Sequence, residues 1–341
     1  MNAVEDAAAA TGRVAGTTAA ATTSTALVQP GGLVDEIAAA RSYRQKAKAA
    51  NTLRAYASDW NQFEAWCNER SLEPLPARPE AVATWLAALA MAGKADSTIT
   101  RHAAAIAWYH RRAGEVAPQH RDPRGVIADT LAGIRREQRS RPSARKAAIT
   151  AAQLKAMIAE AEGEGTRAIR DRAILALGLA AALRRSELVA LQVADVAEVN
   201  EGLKLTIRHS KTDQEGAGQV IAVPTGKELR PVKRLEDWLA VRGRAAGPLF
   251  LQIDPQGQLT RNAMSDRSVA RLIQRYGAKI GLDPETVGGH SLRAGFLTEA
   301  ARSKASLAKM QEVSRQKKLE VLLGYVRSVA LFEDHAGEGF L

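Results

Sequence analysis

A single cysteine, Cys67, occurs among the 341 residues, so no intramolecular disulfide can form and a cysteine-built zinc site is excluded. Cys67 falls within an apolar helical stripe and reads as a small core residue. Aromatic residues make up only 4% of the chain, which predicts a core of Ala, Leu, Val and Ile and favours helix over sheet. No apolar run approaches the length of a membrane span, and Glu5 and Asp6 stand where a secretory leader would be basic and then apolar. A cytoplasmic protein with no membrane partner is the expectation. No internal repeat is found.

Basic side chains, in contrast, are in excess. The net charge of +11 points to a polyanionic partner, nucleic acid before an anionic membrane surface. Residues 1–40 carry −3, whereas residues 41–148 hold 19 basic and 10 acidic side chains and residues 149–341 hold 28 and 23. The excess therefore lies in the periodic segments and not in a basic tail.

Residues 1–40 are rich in Ala, Thr and Gly and are expected to form a flexible tail, compatible with fraying helix around Leu33–Ala40. Helical periodicity starts near Asn51, a candidate N-cap, with Leu53, Tyr56, Trp60, Phe63 and Cys67 on one face. Pro79, Ser97 and Asp122-Pro123 open three further helices, giving a four-helix bundle over 41–138. Residues 139–147 form a basic linker in which Arg141 and Arg145 are candidates to lie along a phosphate backbone. A second domain, 148–341, opens with the capping-box pattern Thr150-x-x-Gln153 and a strongly apolar helix over about 167–181. Residues 203–209 and 220–224 read as a β-hairpin with Lys211 near the end of its first strand, and helices follow to about residue 325. The fold class is mainly α: a helical bundle, then a mixed, mostly α domain with a small antiparallel sheet.

Four separated residues carry the chemistry. Arg184 lies in Leu183-Arg184-Arg185-Ser186-Glu187-Leu188, His290 and Arg293 in Gly289-His290-Ser291-Leu292-Arg293, and Tyr325 in Leu323-Gly324-Tyr325. The three-residue spacing of His290 and Arg293 places both on one face of a helix. Attack on a phosphodiester drives charge onto its non-bridging oxygens, and guanidiniums meet that charge with planar forks of donors that stay protonated. A tyrosine nucleophile exchanges one phosphodiester for a phosphotyrosine, conserving bond energy without a nucleotide cofactor. A phenol of pKa near ~10 needs a base as it attacks, for which His290 is suited, and the leaving oxygen needs a proton, which Lys211 could supply.

These motifs together resemble the tyrosine recombinases, or phage-type integrases, over roughly residues 45–330. Arg184 stands in a Leu-Arg-x-x-Glu-Leu context similar to the family's first motif, with Glu187 where the family has a supporting carboxylate. Ser210-Lys211-Thr212-Asp213 is similar to the family's hairpin lysine, His290-Ser291-Leu292-Arg293 to its second motif, and Leu323-Gly324-Tyr325 to its nucleophile helix. Residues 97–102 and 110–114 resemble Cre-type core-binding helices, which makes the first domain SAM-like and nominates Arg54, Thr98 and Arg101 for DNA contacts. One position departs: Gln316 stands nine residues before the tyrosine, where the family has His or Trp donating to the scissile phosphate, and Arg315 replaces a common glycine beside it. A glutamine amide donates a hydrogen bond without positive charge, which predicts weakened catalysis.

The resemblance implies a C-shaped clamp around double-stranded DNA carrying a specific recombination site, and a homo-tetramer on paired sites in the bacterial nucleoid. It implies strand cleavage and rejoining through a covalent 3′-phosphotyrosyl intermediate, with no metal, ATP or other cofactor. The alternatives are a catalytically weakened DNA-binding protein of the same fold, marked by Gln316, and strand relaxation of the type IB topoisomerase kind. The apolar residues after Tyr325, among them Leu331, Phe332, Phe340 and Leu341, suit packing on a neighbouring protomer, the alternative being to fold back in cis.

Overall fold

The computed structural model describes residues 33–139, 146–208 and 218–330. The chain divides into two compact units, Met1–Pro142 and Ser143–Leu341. Thirteen helices and two small antiparallel sheets occur among the described residues, so the fold is mainly α.

The first unit contains α1 (Val34–Lys46), α2 (Ala50–Asn68), α3 (Pro79–Met91), α4 (Asp96–Arg112) and α5 (Val126–Gln138). Helix α1 continues through Lys46, well past the expected stretch near Leu33–Ala40. Asn51 is not the N-cap of α2; it sits inside the first turn and accepts a hydrogen bond from Arg54. Pro79 occupies the first turn of α3, where its missing N–H costs nothing. The Asp122 carboxylate accepts from the Val126 and Ile127 amides at 3.0 and 2.8 Å and so opens α5.

Aromatics are not marginal to this core, contrary to what their overall scarcity suggested. Trp60, Phe63 and Trp85 are buried with Leu86, Ile99 and Ile106, and Trp60 stacks on Tyr109 with ring centres 4.6 Å apart. Four of the five tryptophans fall between residues 60 and 108, so a low average hides a local concentration. Cys67 is fully buried here, and that burial pushes its thiol up to about 11. His110 staples α4 to the loop between α2 and α3, donating from Nδ1 to the Ile106 carbonyl and accepting the Ala77 N–H on Nε2, both at 2.8 Å.

The second unit opens with α6 (Ala151–Glu160), whose expected capping box is formed in both directions between Thr150 and Gln153. Helix α7 (Thr166–Ala180) follows as the centre of the core, with Ala173–Leu177 fully buried, and then α8 (Arg185–Ala190). The expected hairpin strands are β2 (Gly202–Ile207) and β3 (Gln219–Pro224), joined by an unexpected β1 (Val196–Val199) in the order β1-β2-β3. Register pairs Leu205 with Val196 on one side and Ile221 on the other. After α9 (Pro231–Arg242) a second unexpected hairpin, β4 (Leu251–Ile253) and β5 (Leu259–Ala263), precedes α10 (Asp266–Lys279). The unit continues with α11 (Ser291–Arg302), α12 (Leu307–Ser314) and α13 (Leu319–Val329).

Two close approaches fix α11. An added Cβ on Gly295 would stand 2.0 Å from the Ile149 carbonyl oxygen, so only glycine lets the helix lie against that backbone. On the neighbouring face Leu292 fills the space left by Gly178 of α7, where a Cβ would meet Leu292 at 2.7 Å. A separate apolar cluster of Leu297, Ala301, Met310 and Leu322 holds α11, α12 and α13 together.

Candidate functional site

The site is organised by the carboxyl end of α7. Leu183 and Ala182 donate back to the Gly178 and Leu179 carbonyls, closing a Schellman turn in which Ala182, at φ 47°, takes the left-handed place usually given to glycine. That turn leaves the Ala181 and Ala182 carbonyls free to accept from side chains. Cations suit this end of a helix, where unpaired carbonyls and the helix dipole are both negative. Arg293 donates from Nη1 to the Ala182 carbonyl at 2.9 Å, and Arg315 donates to the Ala181 and Ala182 carbonyls at 3.3 and 3.1 Å.

Immediately after this turn Arg184 caps α8 in extended conformation. Glu187, one turn into α8 and 2% exposed, accepts from the Arg184 backbone N–H on Oε2 at 2.9 Å and from the Arg184 guanidinium on Oε1. Its Oε2 also accepts from Arg315 Nη2 at 2.8 Å. Burial works against ionisation of Glu187, but Arg315 and Arg184 together hold its carboxyl below the usual carboxylate range.

Two guanidiniums thus hold one carboxylate, and a third, Arg293, lies beside them on the Ala182 carbonyl. Arg293 is 4% exposed; burial, reinforced by repulsion from Arg184 and Arg315, brings its pKa down to about 9. The same burial lowers Arg315, with Glu187 pulling the other way. Two donors in this cluster, Arg293 Nη2 and Arg315 Nε, are buried without a hydrogen-bond partner. Buried, unpaired guanidinium donors with surplus positive charge are costly unless an anion completes them. A phosphodiester has the charge and the acceptor oxygens to do so.

Tyr325 sits on α13, half-buried beside the Leu297–Leu322 cluster, and is near enough to Arg293 to act on it electrostatically. The packing of α13 on α11 therefore places phenol and guanidinium in one neighbourhood although 32 positions separate them in sequence. His290 stands at the boundary of the helix that carries Arg293. It is the N-cap residue of α11, exposed, with φ −96° and ψ −14°, and its carbonyl accepts from Ala294 at 3.0 Å. The preceding turn is fixed by Ser291, whose Oγ accepts from the Gly288 N–H at 3.0 Å. Gln316 lies half-buried in the turn between α12 and α13, its carbonyl accepting from Gln311 Nε2 at 3.1 Å. Lys211, Arg141 and Arg145 lie outside the described residues.

In the sequence Arg315 is marked only as the replacement of a common glycine. Its backbone keeps the glycine-like conformation, φ 56° and ψ 35°, while its side chain reaches Glu187. No motif or periodicity in the sequence signals that reach, because the two residues are 128 positions apart. In the first unit Arg54 and Thr98 lie on α2 and α4, exposed and half-buried. Arg101 is bidentate to the buried Asp59 at 2.7 and 2.9 Å, which fixes two of its nitrogens and leaves the side chain about half exposed, at 45%.

The Phage integrase family model matches residues 147–330, and the model for the phage integrase N-terminal SAM-like domain matches residues 42–114. An integrase/recombinase xerD homolog of Selenomonas ruminantium is 34% identical over 294 residues, covering 86% of this chain and 86% of the relative. A tyrosine recombinase of Synechococcus elongatus is 27% identical, covering 82% of this chain and 85% of its own. Among solved structures, the Tn1549 transposon integrase in complex with transposon right end DNA superposes with a TM-score of 0.57 at 17% identity, over 90% of this chain and 99% of that one. A lambda integrase dimer bound to a core site superposes with a TM-score of 0.54 at 18% identity, over 86% and 93%. With its buried guanidinium cluster, its tyrosine-bearing helix and these matches across both units, the chain belongs to the phage integrase family of tyrosine recombinases.

Proposed function

We propose that this chain is a site-specific DNA recombinase that cleaves and rejoins strands through a covalent 3′-phosphotyrosyl intermediate. The observation that carries the reading is the surplus of buried positive charge around Glu187, with the Arg293 Nη2 and Arg315 Nε donors unpaired. Arg184 and Arg293 bind the non-bridging oxygens of the scissile phosphate and stabilise the charge that grows there. The Tyr325 oxygen attacks phosphorus and passes its proton to His290, and the bond from phosphorus to the 5′ oxygen breaks. Lys211 protonates that leaving oxygen, giving a free 5′ hydroxyl. Gln316 adds a neutral hydrogen bond to the phosphate. Reversal with a new 5′ hydroxyl rejoins the strand, so neither a metal nor ATP enters the cycle. Recombination-site DNA in the solved relatives supports duplex DNA as the partner, and pairing of two sites calls for four copies of the chain.

The test is to sequence the DNA that the protein protects, then present that site with a nick just 3′ of the scissile phosphate so that the short fragment bearing the freed 5′ hydroxyl is lost. Wild type accumulates a covalent adduct and Tyr325→Phe does not. An equal adduct in both would remove Tyr325 from the reaction. Relaxation of supercoiled DNA lacking the site would instead place the chain with the topoisomerases. Binding to the site weakens steeply with salt, because each neutralised phosphate releases counterions.

A further inference from the structure

We propose that Arg315 is a positioning residue of this reaction, holding the two phosphate-binding arginines, Arg184 and Arg293, through the partners each of them uses. The inference rests on the functional reading above. Among the described residues, Arg315 alone bonds both to Glu187, which holds Arg184, and to the Ala182 carbonyl, which holds Arg293. It adds donations to the Ala181 and Val313 carbonyls at 3.3 and 2.6 Å, and its side chain is only 2% exposed. A planar guanidinium spreads five donors over three nitrogens and so spans a carboxylate and several carbonyls, whereas an ammonium has three donors on a single atom.

The backbone supports the same conclusion. Arg315 adopts a left-handed conformation that glycine takes without cost, so its side chain is retained against a local penalty. The turn alone would favour glycine. The side chain is also placed one residue before Gln316, at the position where this chain lacks a cationic or aromatic donor. Arg315 thus adds positive charge beside Glu187 and the end of α7, and its hold on Arg184 and Arg293 is exerted through its Nη2 atom, whatever its unpaired Nε meets in the complex.

The experiment uses the full chain and the nicked site DNA. Single-turnover adduct formation at saturating DNA and, separately, DNA affinity are measured for wild type, Arg315→Gln, Glu187→Gln, the double variant and Arg315→Lys. Arg315→Gln should slow adduct formation about 10- to 100-fold, as loss of an outer partner does for ligated groups, while affinity stays within about twofold. The double variant should be within about threefold of its slower single parent, because both changes break one network. Arg315→Lys should fall between wild type and Arg315→Gln.

Wild-type rate in Arg315→Gln, a loss confined to affinity, or losses that multiply with Glu187→Gln would each overturn the proposal. Should Arg315→Gln fail to fold, Arg315→Lys decides: slowed chemistry at unchanged affinity supports the role, and wild-type rate overturns it. Absence of adduct in wild type removes the functional reading itself, whereas a normal wild type with an indifferent Arg315→Gln removes only the role of Arg315.

Discussion

Arg293 spends Nη1 on the Ala182 carbonyl at 2.9 Å and keeps Nη2 buried without a partner. One nitrogen fixes the guanidinium to the end of α7; the other is left for a ligand. Arg315 divides its donors differently, with both Nη atoms bonded within the protein to Glu187 and to the Ala181, Ala182 and Val313 carbonyls.

Arg293→Lys can keep one of these contacts but not both. Adduct formation on the nicked site should fall about 10²- to 10³-fold, the usual cost of losing one preorganised donor to developing charge. DNA affinity, set by many phosphate contacts, should change little, and a gel-shift titration beside the rate measurement checks both.

Gln316→His should accelerate the same step about tenfold, since a charged donor strengthens a hydrogen bond to phosphate. Rate constants for adduct formation at fixed DNA saturation provide the comparison. A slower His variant would mean that the turn after Arg315 does not present this side chain to the phosphate.

Acid should loosen the first unit. Burial lowers the pKa of His102 and of His110, the latter with help from Arg121. Between the folded pKa and the unfolded value near ~6.5, the unfolded chain binds protons that the folded one does not, so stability falls as pH drops through that window. The unfolding midpoint followed by tryptophan fluorescence should decrease from pH 7 to 5, because four of the five tryptophans report this unit. Replacing His110 with Gln should flatten that slope.

Gly295→Ala and Gly324→Ala form a contrasting pair. The first drives a Cβ to within 2.0 Å of the Ile149 carbonyl oxygen and should cost about 1–3 kcal/mol or more in denaturant unfolding. The second meets nothing within 4 Å on an exposed turn of α13 and should stabilise by up to about 1 kcal/mol through helix propensity.

Local rules were legible where local energetics decide. Thr150 and Gln153 cap α6 as their spacing requires, and Pro79 opens α3. Strand β1 was hidden because Val-Ala-Glu-Val is short and helix-compatible, and its pairing with Leu203–Leu205 is a tertiary event. The hairpin of β4 and β5 is equally short, with only Leu251 and Ile253 buried along the first strand. His290 stands at the helix boundary, its carbonyl already accepting from Ala294, and the spacing rule does not resolve a difference of one residue there. Arg315 escaped for a different reason: its meaning resides in Glu187, 128 positions earlier, and no periodicity carries that distance.

The solitary thiol has a practical side. Cys67 is fully enclosed in the first unit and is held largely protonated by its surroundings, so maleimide reagents should pass over the folded chain. A cysteine introduced on any exposed helix face would then be the sole reactive handle, ready for a fluorophore or spin label without removing a native residue. Reactivity of Cys67 itself would serve as a clock for opening of the helical bundle, readable in the same tube as strand cleavage.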